Sequence, residues 1–190
     1  AVKRLKEAGA VVLAKSNMHE LAAGITTVSS LGGQTRNPYD PRRNPGGSSG
    51  GTGAEVAASF GAIGWGTDTC GSIRIPSAFN NLFGLRPTRG LSSIDGMIPL
   101  SHTQDVGVPL ARHVVDLAIG LDATVGPDPA DPATEALRGR SLPRFRDSLD
   151  AEALQGVRLG DVWSLFGDPP GDQEEDSLLR LTVAEQLEAG

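Results

Sequence analysis

Two serine-bearing turns hold the residues of this 190-residue sequence best suited to chemistry. Ser48 and Ser49 lie inside Gly46-Gly47-Ser48-Ser49-Gly50-Gly51. Ser72 follows 24 residues after Ser48, in Thr67-Asp68-Thr69-Cys70-Gly71-Ser72-Ile73-Arg74. A serine hydroxyl is a weak nucleophile until a base or a proton relay activates it. The glycine-rich hexapeptide has three readings. A flexible linker should separate two packable units, whereas this one sits inside continuous α/β patterning. A phosphate cradle should read G-x-x-x-x-G-K-[ST], and no lysine follows Gly51. The third reading is a rigid turn that brings backbone and hydroxyls close to a substrate.

Other reactive side chains are sparse. The single cysteine, Cys70, excludes an internal disulfide framework and a cysteine-rich zinc site. As a nucleophile Cys70 has no histidine linked to it by a motif. His19, His102 and His113 lack metal-ligand spacing, so a histidine-based metal site is not expected; no metal or organic cofactor is indicated. His102 has a substrate-pocket reading beside one of simple hydrogen bonding, while His19 and His113 read as surface or packing residues. Trp65 reads as core, and Trp163 and Phe166 as core or edge.

The elements that must position these turns alternate between strands and helices. Val2, Leu5 and Ala8 share one face of a helix ending at Gly9, and Val11-Val12-Leu13 has the continuous apolar pattern of a strand buried on both sides. Asn17 with Glu20 reads as a helix N-cap and its partner. Residues 25–45 read as loop. The sequence predicts a helix over 54–60, a strand over 62–66, a turn over 67–72 and a stretch of mixed propensity over 72–78. It then predicts a loop from Leu91 to Gly107 and a helix from about Pro109 to Thr124, with Pro109 in the first turn. Residues 126–150, with four prolines among charges, read as a surface excursion. Val157–Val162 reads as a strand and Asp172–Leu187 as a helix. The fold class is α/β.

Charge excludes one class of partner. Residues 1–120 carry 11 basic and 8 acidic side chains, whereas 121–190 carry 6 and 15, for a net charge of −6. An acidic second half gives no footprint for nucleic acid. No apolar run reaches the roughly 18 residues of a membrane span. The chain opens on Ala1 without a visible signal peptide. Its Leu187-Glu188-Ala189-Gly190 echoes the Leu5-Lys6-Glu7-Ala8-Gly9 that precedes a strand, so the sequence reads as an internal piece of a longer protein, cytoplasmic by default.

Taken together, NPGGSSGGTGAEVAA, GTDTCGSIRIPSAF and GLRPT resemble the signature of the amidase signature family of serine amidohydrolases. LAKSNMHELAAG and GGQTRNP before them, with IPLSHTQD, PLAR and VGPDPADPAT after them, extend the likeness over nearly the whole chain. The resemblance implies one α/β domain over 1–190, truncated at both ends. It implies a mixed β-sheet covered by helices on both faces and a signature core over 44–90. It assigns Ser72 as nucleophile on an amide carbonyl and Ser48, entered through a cis peptide bond from Gly47, as the bridging serine of a Ser–Ser–Lys triad. The N–H groups of Thr69, Cys70, Gly71 and Ser72 are assigned to the oxyanion hole. Ser49, Asp68 and Arg74 support the site from behind, the last two as a pair. The family's catalytic lysine lies upstream of the first helix and is absent from this chain; Lys3, Lys6 and Lys15 read as structural or solvated. Cys70 and Val108 depart from the glycines usual at their places. The implied reaction cleaves a carboxamide C–N bond through a Ser72 acyl-enzyme, on a small-molecule or peptide amide, with the general amidase and peptide-amidase branch closest in look. The isolated chain, without the lysine, is expected to be inactive. The alternatives are the glutaminase subunit of a glutamyl-tRNA amidotransferase and a non-catalytic scaffold.

Overall fold

The computed structural model describes residues 1–158, 160, 177, 178 and 180–185. It divides into two units, Ala1–Ser148 and Leu149–Gly190. In the first unit the helices are α1 (Val2–Glu7), α2 (Gly50–Ala57), α3 (Arg74–Phe79) and α4 (Val114–Thr124). The strands are β1 (Val28–Ser29), β2 (Gly33–Gln34), β3 (Ile63–Asp68), β4 (Phe83–Gly84) and β5 (Val106–Ala111). β1 and β2 form a short antiparallel ribbon, and β3-β5-β4 form a sheet whose pairs are antiparallel. In the second unit, turns occupy 151–156 and the described residues from 177 to 185 are helical.

The sheet is covered by helices on both faces, as the resemblance implies. All six residues of β5 are buried. Val106, Val108 and Leu110 join Val56 of α2 and Ile73 in one apolar cluster, with Leu82 packed against it. On the opposite face Pro109 and Ile63 meet Gly120 of α4. Full burial of such aliphatic side chains contributes roughly 1.5–3 kcal/mol each. Val108 is therefore a core residue, and its side chain occupies space inside the cluster.

Pro109 corrects the sequence reading. It lies within β5, paired with Trp65, and α4 begins only at Val114. Proline in a strand is tolerated where one flank lacks a ladder partner. Here β4 reaches only Leu110 and Ala111, which leaves that side open at Pro109. Arg112, next along the chain, donates to the carbonyls of Val56 and Gly61 and closes the C-terminal end of α2. Arg4 of α1 does the same for α4 through Thr124, Val125 and Pro127.

Three further expectations change. Val11, Val12 and Leu13 form no strand and are 81, 50 and 71 % exposed, because no ladder partner lies beside them among the described residues. Asn17 caps no helix. Its side-chain amide donates to Gly33 and Thr35 and its carbonyl oxygen accepts from Ser29, tying down the β1–β2 ribbon. Glu20, the supposed capping partner, instead accepts from the backbone and hydroxyl of Ser30, and only one 3₁₀ turn, Glu20–Ala22, forms there. Helix α2 starts at Gly50, within the glycine segment, rather than at Ala54. A Cβ on Gly51 would stand 2.0 Å from the Asn17 carbonyl oxygen, so this helix can lie against the 15–19 segment only with glycine there.

The stretch of mixed propensity becomes helix α3, with Pro76 in its first turn, where a missing N–H costs no helical hydrogen bond. The 126–150 excursion is anchored at two points. Buried Asp131 accepts from the Ile94 and Ala133 amides, and Asp122 accepts from the Phe145 and Arg146 amides. Half of the predicted 157–162 strand lies outside the described residues, as do Trp163, Phe166 and the ends of the 172–187 helix; Val157, Arg158 and Gly160, which are described, are not in a strand.

Candidate active site

The two serine turns meet between α2 and the C-terminal end of β3. The Ser49 amide donates to the Ser72 carbonyl at 3.2 Å. The Ser49 hydroxyl lies 3.2 Å from the Thr67 carbonyl and 3.3 Å from the Thr67 amide, so it bridges the edge of β3. That contact needs Gly66: a Cβ there would stand 2.6 Å from Ser49 Oγ and 2.8 Å from Ile73 Cδ1.

The Gly47–Ser48 peptide bond is cis, as the resemblance implies. Ser48 is fully buried, and its hydroxyl has no hydrogen-bond partner among the described residues. Its carbonyl accepts from the His19 amide at 2.9 Å, which uses the backbone of His19 rather than its ring. Thr27, which sequence reasoning missed, fastens the turn from beneath. Its buried hydroxyl donates to the Gly46 carbonyl at 2.7 Å and accepts from the Gly50 amide at 3.0 Å. Nothing local in TTVSS marks Thr27, since its partners lie 19 and 23 residues away.

Asp68 organises the second turn. Its fully buried carboxylate accepts from the amides of Gly71, Ile73 and Arg74 and takes the Arg74 guanidinium through both oxygens, at 3.2 Å each. The expected Asp68–Arg74 pair is thus present. Arg86 adds a second guanidinium, with Nη1 on Asp68 Oδ1 at 3.0 Å and on the Asp68 carbonyl. Arg86 was legible only as part of GLRPT, with no indication of its partner. Burial pushes the Asp68 carboxyl up, but the Arg74 guanidinium and the three amides outweigh it and hold the group down at about 2. The same pairing raises Arg74.

The amides expected to bind an oxyanion divide into two sets. The Gly71 N–H is engaged by Asp68 Oδ1 at 2.9 Å, which narrows the four-donor expectation. The N–H groups of Thr69, Cys70 and Ser72 have no acceptor among the described residues. Ser72 is 8 % exposed, and its hydroxyl likewise has no hydrogen bond among the described residues. The Cys70 thiol is exposed on the same turn.

The other candidates lie apart from this geometry. Lys3 pairs loosely with Glu7 at 3.9 Å on the α1 surface, while Lys6 and Lys15 are exposed. His102 is exposed, and His113 precedes α4 without capping it through its side chain. Trp65 is half-buried, with its indole N–H unpaired among the described residues. Among those residues there is no cluster of metal-ligating side chains and no helix long and apolar enough to cross a membrane.

A serine turn braced by a buried carboxylate, backed by a second serine and presenting unengaged amides, defines a candidate acyl-transfer site on an α/β scaffold. The family model described as Amidase matches residues 1–189, and the chain belongs to that family. It is 45 % identical over 172 residues to the A subunit of glutamyl-tRNA(Gln) amidotransferase from Thermus thermophilus, an alignment that covers 90 % of this chain and 36 % of that protein. It is 44 % identical over 171 residues to AtzE, the 1-carboxybiuret hydrolase subunit of a Pseudomonas species, with the same coverage of 90 and 36 %. Among solved structures, the native peptide amidase of Stenotrophomonas maltophilia matches with a TM-score of 0.86 at 42 % identity, over all of this chain and 39 % of that one. The chain thus spans little more than a third of the length of the relatives it matches.

Proposed function

We propose that this chain carries the nucleophile half of an amide hydrolase, with Ser72 attacking a carboxamide carbonyl and Ser48 relaying the proton. The observation that carries the reading is the Ser49 N–H to Ser72 carbonyl bond, which joins two serine segments far apart in sequence into one site. The reaction runs in two halves. Ser72 Oγ bonds to the carbonyl carbon, and the carbonyl oxygen takes negative charge beside the Thr69, Cys70 and Ser72 amides. The serine proton passes through Ser48 to the leaving nitrogen, ammonia departs, and water then cleaves the Ser72 ester by the same route. Donors placed for the oxyanion act where charge develops, so they lower the barrier more than they tighten ground-state binding.

A relay needs a base. Ser48 Oγ has no partner among the described residues, and the chain's three lysines lie at its surface. The 190-residue chain by itself is therefore expected to release no ammonia from amides, and the activity belongs to a longer protein that supplies the family's lysine.

The test is ammonia release from a panel of carboxamides, including peptide amides and glutamine, by the full-length protein with Ser72→Ala as control. Serine-dependent release without a partner supports a stand-alone amidase. Release from glutamine that requires a partner protein and tRNA supports the second reading, one component of an amidotransferase. That reading is favoured by the relatives that carry this name at 40–46 % identity. Absence of serine-dependent release under either condition overturns both readings and leaves a non-catalytic scaffold.

A further inference from the structure

The Asp68 network holds the second turn at Gly71, Ile73 and Arg74 and does not reach the side chain of Thr69. Thr69 is held from another direction. Its hydroxyl donates to Asp105 Oδ1 at 2.6 Å. Asp105 is 6 % exposed, and its second oxygen accepts from the amides of Leu100 and Ser101 at 2.9 and 3.0 Å. The amides of Gln104 and Asp105 return to the Ser101 carbonyl, closing a tight loop over 101–105. Arg86 ties the same loop a second time, through Nη2 to the Gln104 carbonyl at 2.6 Å. Asp105 has no cationic partner among the described residues, so this buried carboxylate is satisfied by neutral donors.

Its charge has the wrong sign to stabilise an oxyanion forming a few residues away. Any benefit to the reaction must therefore come through geometry. We propose that Asp105 is a positioning residue for the oxyanion amides: it holds Thr69 by its hydroxyl and fixes the 100–105 loop, which carries exposed His102, beside the serine turn. The proposal rests on the amide-hydrolase reading above and deepens it. Without the tether, Thr69 turns about the end of β3 and its amide loses its aim. The loss then falls on the transition state, because the oxyanion exists only there.

The test uses the full-length protein on its best carboxamide, with kcat, KM and thermal unfolding measured for Thr69→Val, Thr69→Ser, Asp105→Ala and the Thr69→Val/Asp105→Ala double variant. Valine keeps the shape of threonine and removes only the hydroxyl, so Thr69→Val should lower kcat about 10- to 100-fold with KM within about 3-fold, approaching the loss of one oxyanion donor. Thr69→Ser, which restores the hydroxyl, should recover at least about a third of wild-type kcat. The double variant should be no slower than Asp105→Ala, since both changes break one contact. Wild-type kcat in Thr69→Val overturns the proposal, as does equal impairment of the serine and valine variants. A KM rise at unchanged kcat also overturns it, because that places Thr69 in ground-state binding. If Asp105→Ala does not fold, the Thr69 pair decides alone. Failure of the wild-type protein to release ammonia in a Ser72-dependent way overturns the amide-hydrolase reading itself, which separates the two failures.

Discussion

Arg86 grips Asp68 twice, on the carboxylate and on the main-chain carbonyl of the same residue, and so fixes both the side chain and the backbone at the point where β3 turns toward Ser72. Arg74 reaches the same carboxylate from the start of α3 but is half-exposed, whereas Arg86 is 27 % exposed. A fully buried carboxylate between two guanidiniums is costly to separate from either, because removing one partner leaves charge uncompensated.

The first prediction follows from that asymmetry. Arg86→Leu should lower the unfolding free energy by about 3 kcal/mol, near the range for breaking a buried pair from one side. Arg74→Leu should cost less, about 1 kcal/mol, because solvent already screens its guanidinium. Urea unfolding of the full-length protein and both variants measures the difference. Equal losses would show that the two arginines share the charge evenly.

Acid should find the same weak point. The Asp68 carboxyl is lowered from 3.8 to about 2, so its contribution is fully present above pH 4 and is lost as pH falls from 4 toward 2. A depression of this size corresponds to about 2 kcal/mol. The unfolding free energy of the wild-type protein should fall across that window, and Asp68→Asn should show a flatter decline between pH 4 and 2 from a lower starting value. An identical slope in the variant would assign the acid sensitivity to other carboxylates.

Ser48 should separate stability from function. Its hydroxyl is buried and lacks a partner among the described residues, so Ser48→Ala removes a desolvated polar group rather than a contact. Thermal unfolding should stay within about 2 °C of wild type or rise, while amide hydrolysis by the full-length protein falls at least about 100-fold. A large drop in unfolding temperature would mean that the hydroxyl is satisfied in the full-length protein by a structural partner.

Gly66→Ala tests the packing between the two serine turns. The added methyl meets Ser49 Oγ at 2.6 Å and Ile73 Cδ1 at 2.8 Å, both in the interior. Overpacking of this kind costs about 1–3 kcal/mol. It also pushes Ser49 off the edge of β3, so kcat should fall together with stability. A variant as stable and active as wild type would show that the turn can shift without consequence.

Much of this site is legible in the amino-acid order because its information is local. The glycine-flanked serines stand out in two short segments, and the family resemblance that those segments carry together points to the Asp68–Arg74 pair. The alternation of strand and helix likewise follows from short-range periodicity. Three things had to wait for the tertiary structure. Pro109 carries a helix-start signal, yet burial against α4 on one side and pairing with β3 on the other make it a strand residue. The Val11–Leu13 run has a strand's composition but no neighbour among the described residues to pair with, and a strand exists only in company. Thr27, Arg86 and Asp105 gain their roles from hydrogen bonds to residues 18 to 36 positions away. A lone threonine, arginine or aspartate in a loop has no periodicity to betray such partners. Composition and spacing therefore determine which groups can react, and long-range packing decides which of the remaining polar residues aim them.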